Sequence, residues 1–279
     1  MLVDLQVHTI ATPGHATWEP DALMRYATEH GVDVVSVTDH NTVVLVPAAL
    51  EAAARHGVRC IPAAELDTEF GGKLWHLLLY GIDPHSRAIQ NLCSAVVERN
   101  ARDAQEIAQH VRQRGHALPS LDQIANPTVA AVGLALVRDG VVPAQPGVED
   151  EAAGMGYILT QLRHLYRPVT IREAVAVAHE QGALAILAHP GRSKGIYAIP
   201  ATAADIAAIA AAGIDGIEAL YAGHTLGEQQ LYQDLAQQHD LLVTAGSDSH
   251  HPAEGLCPRP ATDCAAFLQH FGILSNDGV

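Results

Sequence analysis

The sequence predicts an α/β fold, either a wound parallel sheet or an α/β barrel, interrupted by a helical insertion. Three observations carry this expectation. Short runs rich in Val, Ile and Leu alternate along the chain with stretches of helical spacing, the order that wound sheets and barrels produce. Most of these runs are continuous rather than alternating, as parallel strands buried on both faces are. The middle of the chain breaks the order, with helical patterns, several Pro and Gly, and no convincing strand from 116 to about 168.

In chain order, strands are expected at 2–7 (LVDLQV), 32–38 (VDVVSVT), 58–65 (VRCIPAAE), 74–80 (LWHLLLY), 183–189 (ALAILAH), 214–221 (IDGIEALY) and 241–247 (LLVTAGS). Helices lie between them. One opens at Pro20, a good first-turn residue, carries Leu23, Met24 and Ala27 on one face, and stops at Gly31. Others are expected at about 47–57, 170–182, 201–213 and 225–240, and a long one over 86–115 ends at Gly115. The segment PAQPGVEDEAAG (143–154) reads as a loop. The chain therefore divides into 1–97 and 169–279, which build the α/β domain, and a helical insertion over 98–168.

Composition bounds the function. With 279 residues, 48% hydrophobic and 17% charged, the chain can bury a large core, which excludes intrinsic disorder. Sixteen Lys and Arg against 31 Asp and Glu give a formal net charge of −15, the wrong sign for gripping long nucleic acid. Small phosphorylated substrates stay within reach, because bound cations reverse the sign locally. The four cysteines (Cys60, Cys93, Cys257, Cys264) form no CxxC pair, so a thiolate metal site or a disulfide framework is not expected. The start, MLVDLQVHT, lacks a basic leader, and no run approaches the ~20 apolar residues of a membrane span. A soluble, cytoplasmic protein with no membrane partner is the expectation.

The 17 histidines outnumber Lys and Arg together, and imidazole is the commonest metal ligand. Several stand at strand ends. His8 ends the first strand, Asp39-His40 the second and Glu65 the third; His189-Pro190-Gly191-Arg192 and Asp248-Ser249-His250-His251 end two later ones. In an α/β barrel those ends open on one face. A single His after a strand is more often a hydrogen-bonded polar group than a ligand, and Asp and Ser favour turns in their own right. The metal reading rests on their number. Imidazoles and carboxylates without thiolates suit Zn, Mn or Fe, and Glu65 could bridge two ions. His76 departs from the pattern, lying near the start of its run.

The motifs VDLQVHT, VSVTDHNT, IPAAELDT, AILAHPGR and TAGSDSHH resemble, in order, those of the PHP (polymerase and histidinol phosphatase) family of metal-dependent phosphoesterases. The insertion, the phrase GIEALYAGHT and the length resemble its 3′,5′-nucleoside bisphosphate phosphatase branch. The resemblance implies a distorted seven-stranded (β/α) barrel holding two or three divalent ions. One ion would lie between His8, Glu65 and Asp248, a second between Glu65, His76 and His189. A third would take His40, His250 and a residue of the 12–15 turn. Asp39 would orient an imidazole from behind. Asp248, Arg192 and His224 would serve catalysis, with Arg192 clamping phosphate through its fork geometry and His224 facing the substrate or protonating the leaving oxygen. The plainer alternatives are a surface ion pair for Arg192 and a capping role near Thr225 for His224.

The resemblance implies hydrolysis of a small phosphomonoester, a 3′,5′-nucleoside bisphosphate or similar nucleotide. A short-oligonucleotide nuclease, a histidinol-phosphate-type phosphatase and a metal-depleted binding module are the alternatives. Three departures matter. Gln6 stands where the family has His, Pro13 where it has Asp (with His15 as the substitute ligand), and Asn126-Pro127-Thr128 where the branch has Arg-Pro-His. The insertion is expected to form a lid or wall that sets substrate choice.

Overall fold

The computed structural model describes residues 1–11, 15–192 and 200–275. Its strands are β1 (Leu2–Val7), β2 (Val34–Val37), β3 (Arg59–Cys60), β4 (Ala63–Phe70), β5 (Lys73–Tyr80), β6 (Leu184–Leu187), β7 (Gly216–Tyr221), β8 (Leu242–Gly246) and β9 (Arg259–Pro260). Its helices are α1 (Pro20–Glu29), α2 (Val46–His56), α3 (Arg87–Gln113), α4 (Val129–Arg138), α5 (Asp150–Gln161), α6 (Ile171–Glu180), α7 (Ala203–Ala210), α8 (Leu226–Gln238) and α9 (Ala265–His270).

The fold is mixed α/β, and its ladders form two open sheets among the described residues rather than one closed seven-stranded barrel. The first has the order β3-β2-β1-β9 and the second β4-β5-β6-β7-β8. Single parallel bridges, Val7 to Ser249 and His40 to Glu65, join the two sheets at the rim where the strand-end residues lie.

Two expectations change. The run at 58–65 splits around Pro62 into β3 and β4, and β4 continues to Phe70 before turning at Gly71 and Gly72, whose φ values are 64° and 80°. The left-handed turn lets β5 return antiparallel on β4, pairing Asp67 with His76 and Glu65 with Leu78. The 74–80 run is therefore not a parallel strand. The other change is at 143–154, where α5 begins at Asp150 inside the expected loop.

Elsewhere local chemistry sets the boundaries. Pro20 opens α1, and Gly57 closes α2 in the left-handed conformation. Thr170 with Glu173 and Thr225 with Glu228 form reciprocal caps on α6 and α8. Leu66, Leu77, Ile89, Ile171, Leu187 and Ile206 fill one core. A second core joins Ile107 and Val111 of α3 to Val132 and Leu136 of α4 and Ile158 of α5. Among the described residues no helix is long and apolar enough to cross a membrane.

Candidate metal centre

The strand-end residues converge on one rim. His8 follows β1, His40 follows β2, Glu65 and Asp67 lie in β4, His189 follows β6, and Asp248 and His250 follow β8. Parallel pairing of β1 with β2 and of β6, β7 and β8 puts their C-terminal ends on the same side. β5 runs the opposite way, so the residue it brings to that rim stands near its start. This is the physical reason for the position of His76.

Glu65 is the hub and is fully buried. Its Oε2 lies 3.0 Å from His8 Nε2 and 3.6 Å from His40 Nδ1, while its Oε1 lies 2.7 Å from His76 Nδ1 and 3.0 Å from His189 Nε2. Asp248 Oδ1 approaches His8 Nε2 to 3.0 Å, and Asp67 Oδ1 approaches His76 Nε2 to 3.2 Å. The His8 ring stacks between those of His40 and His250, at 4.4 and 4.2 Å. His250 donates Nδ1–H to the Asp248 carbonyl at 2.7 Å, which leaves its Nε2 lone pair facing His15 Nε2 at 3.0 Å.

Burial and charge pull the titrating groups apart. Burial would lower the His8 imidazole, but Asp248 and Glu65 outweigh it and push it up to about 10. Burial likewise opposes His76, which Glu65 and Asp67 raise to about 9. His40 has weaker support, and burial drives it down to about 3. Burial would raise the carboxylates, yet the imidazoles hold Glu65 well below its ordinary range, take Asp67 down to about 2 and lower Asp248.

The donor set fits divalent cations. His8 Nε2, His40 Nδ1, Glu65 Oε2 and Asp248 Oδ1 are buried, and none makes a directional hydrogen bond despite the short separations. Lone pairs facing a common point leave this signature. Ligand bonds of about 2.0–2.2 Å place neighbouring donor atoms roughly 3 Å apart. Four groups have donor atoms mutually within 4.8 Å: His8, Glu65 and Asp248; Glu65, His76 and His189; His8, His40 and His250; and His40, Asp67 and His76. The first two are the sets expected from the sequence. The third takes His8 where a turn residue was expected; His15 adjoins it through His250, and Pro13 lies outside the described residues. Asp67 was not anticipated, although it stands two residues beyond Glu65 on the same strand and so shares its face.

Other expected residues take different places. Asp39 orients no imidazole through a hydrogen bond: its two oxygens accept the backbone N–H and the hydroxyl of Thr9, at 2.6 and 2.7 Å. It fixes the backbone beside His8 instead. Gln6 is fully buried behind the rim, against Gly246 and Glu218, with both amide atoms unpartnered. His224 does not face the cluster with a free nitrogen. Its Nδ1 donates to the Ala219 carbonyl at 3.0 Å and its Nε2 accepts the Gly191 N–H at 2.9 Å. A proton donor to substrate needs a nitrogen those bonds do not leave, so that expectation is corrected. Thr128 caps α4 by accepting the Ala131 N–H at 3.1 Å. Glu218, missed in the sequence because it lies inside a strand, accepts the His189 N–H at 2.9 Å, and burial holds its carboxyl well above the ordinary range.

Two cavities adjoin the cluster. One, of about 350 Å³, is lined by Arg192, Tyr221, Ser247, Asp248 and His250 among others, and Arg192 Nη1 stands 3.5 Å from Asp248 Oδ2. The other, of about 190 Å³, is lined by Asn41, Asp67, Asn126 and Thr128 among others. Among the described residues lining the two, Arg192 is the one Lys or Arg.

Residues 4–127 match the model of the PHP domain. The chain is 27% identical to phosphoribosyl 1,2-cyclic phosphate 1,2-diphosphodiesterase of Eggerthella lenta, over 90% of this chain and 94% of that protein. It is 31% identical to the 5′-3′ exoribonuclease Rnm of Escherichia coli, over 92% of this chain and 87% of the other. It is also 26% identical to the 3′,5′-nucleoside bisphosphate phosphatase of Chromobacterium violaceum, over 91% and 88%. Among solved structures, an amidohydrolase from Chromobacterium violaceum superposes with a TM-score of 0.68 at 22% identity, covering 97% of this chain and 96% of that one, and so shares the fold.

Proposed function

The chain belongs to the PHP domain family, and from that premise we propose that this metal-dependent hydrolase removes a phosphoryl group from a small nucleotide-type phosphoester at the Glu65 hub. The observation that carries the reading is that His8 Nε2, His40 Nδ1, Glu65 Oε2 and Asp248 Oδ1 are buried and close together, yet none of these four atoms makes a directional hydrogen bond. His8, Glu65 and Asp248 would hold one divalent ion, and Glu65, His76 and His189 a second. His40 and His250, with His8 and the adjoining His15, offer a third position. Ions such as Mn, Zn or Fe supply Lewis-acid neutralisation of phosphoryl oxygens and lower the pKa of water.

The remaining work falls to the chain itself. Arg192 offers two parallel N–H donors to a phosphoryl group in the cavity it shares with Asp248 and His250. Its approach to Asp248 keeps the guanidinium turned toward the rim. We assign no proton transfer to His224. Residues 98–168 serve as a wall beside the second cavity, and β1, β2 and β4 to β8 act as a distorted barrel pinned at the two inter-sheet bridges.

Relatives named for a bisphosphate phosphatase and an exoribonuclease support a nucleotide phosphoester, and the one named for a phosphoribosyl cyclic phosphate supports a small phosphoester more broadly. The exoribonuclease relative supports a second reading, in which the substrate is the end of a short oligonucleotide. The net charge of −15 and the one Lys or Arg among the described residues lining the two cavities favour the shorter substrate.

The test is turnover with Mn²⁺ or Zn²⁺ on nucleoside monophosphates, bisphosphates and oligonucleotides of graded length, beside a His189→Ala control. Metal-dependent release of phosphate that weakens with chain length supports the proposal. No turnover above the control on any substrate would remove it.

A further inference from the structure

Glu218 and His224 belong to none of the donor groups, yet both grip the turn that follows β6. Glu218 is fully buried and its Oε2 accepts the backbone N–H of His189 at 2.9 Å. His224 donates Nδ1–H to Ala219, which fixes its tautomer, so its Nε2 accepts the backbone N–H of Gly191 at 2.9 Å. The turn is tight: the Arg192 N–H donates to the His189 carbonyl at 2.9 Å and the Ala201 N–H to the Pro190 carbonyl at 2.7 Å. His189 holds a φ of 23°, a region that non-glycine residues enter only when their surroundings impose it. At position 191 only glycine fits, since a Cβ would stand 2.8 Å from His224 Nε2 and 2.9 Å from the Tyr232 ring.

We propose that Glu218 and His224 form a two-point clamp that aims the His189 imidazole at Glu65 and the Arg192 guanidinium at the Asp248 cavity. Both are positioning residues, acting through the backbone N–H groups of alternate residues in one turn. The inference rests on the reading that His189 holds a metal ion and Arg192 a phosphoryl group. Released from the clamp, His189 relaxes toward ordinary backbone angles and its ring leaves the 3.0 Å contact with Glu65. The conservative variant Glu218→Gln retains a carboxamide oxygen able to accept the same N–H, whereas Glu218→Ala does not.

The experiment uses the full chain, stripped with chelator and checked by thermal melting. Amide hydrogen exchange at His189 and Gly191 is followed together with Mn²⁺ titration in the wild type, Glu218→Ala, Glu218→Gln and His224→Phe. Glu218→Ala is expected to speed exchange at His189 and to weaken Mn²⁺ binding by about 10–100-fold, and Glu218→Gln to restore both. His224→Phe is expected to speed exchange at Gly191 and to lower turnover by one factor for aryl phosphates with good and poor leaving groups. Unchanged exchange or unchanged Mn²⁺ affinity in Glu218→Ala would overturn the clamp, as would a His224→Phe penalty confined to poor leaving groups. A wild type that takes up no Mn²⁺ would overturn the metal-centre reading itself, and with it the clamp's purpose.

Discussion

Glu65 Oε2 approaches His8 Nε2 to 3.0 Å, and neither atom has a directional hydrogen bond. A buried carboxylate is unfavourable unless positive charge sits against it, which the surrounding imidazoles supply in the metal-free protein and divalent ions would supply when bound. Glu65→Gln keeps the volume and removes the charge. Bound divalent metal, counted by plasma mass spectrometry, is expected to fall by about one ion per chain or more. Turnover is expected to fall on the order of 100-fold or more. Full metal content in this variant would contradict the hub.

Gln6 points its unpartnered amide into the interior two residues before His8. Replacing it by histidine exchanges a poor ligand for a good one on the same strand face. Gln6→His is therefore expected to raise metal occupancy at the position containing His8. Identical metal analyses before and after the substitution would argue that residue 6 has no bearing on the centre.

The raised imidazoles give a signed pH dependence. In chelator-treated protein, His8 near 10 and His76 near 9 lie above their ordinary value of 6.5. The stability they contribute is complete below pH 6.5 and disappears as pH rises through those two values. The metal-free protein should melt lower at pH 10 than at pH 6.5, with a smaller difference in His8→Gln. Cations compete with the same protons, so Mn²⁺ affinity should rise with pH and binding should release protons. Calorimetry in buffers of different ionisation enthalpy reads that release, and its absence would refute the coupling.

Gly133 of α4 and Gly154 of α5 pack backbone to backbone, and a Cβ at 154 would overlap the Gly133 carbonyl. Gly154→Ala forces the helices apart and should destabilise the protein by about 3 kcal/mol through overpacking. A thermal melt matching the wild type would show that the crossing yields without strain.

Much of the centre was legible because parallel strands align their ends. Reading His8, His40, Glu65, His189, Asp248 and His250 as strand-end residues amounts to reading one rim. The hairpin was harder. Gly71-Gly72 between two apolar runs is a turn signal, but ending the third strand at Glu65 concealed both the turn and Asp67. His224 and Asp39 show another limit. Residue type announces a titrating side chain, while its hydrogen-bond partners, here Ala219, Gly191 and Thr9, depend on loops brought together only in three dimensions. Continuous apolar runs likewise do not tell a closed barrel from two sheets touching at single bridges.

The turn at Gly71-Gly72 also bears on the order in which the molecule assembles. It joins Glu65, Asp67 and His76 through one short loop, which closes quickly and at small entropic cost. His189, by contrast, must arrive from 124 residues downstream of Glu65. The nascent polypeptide can therefore present an acid–imidazole nook while most of its partners are still unmade, and the late-arriving strands complete a foundation already laid rather than starting one.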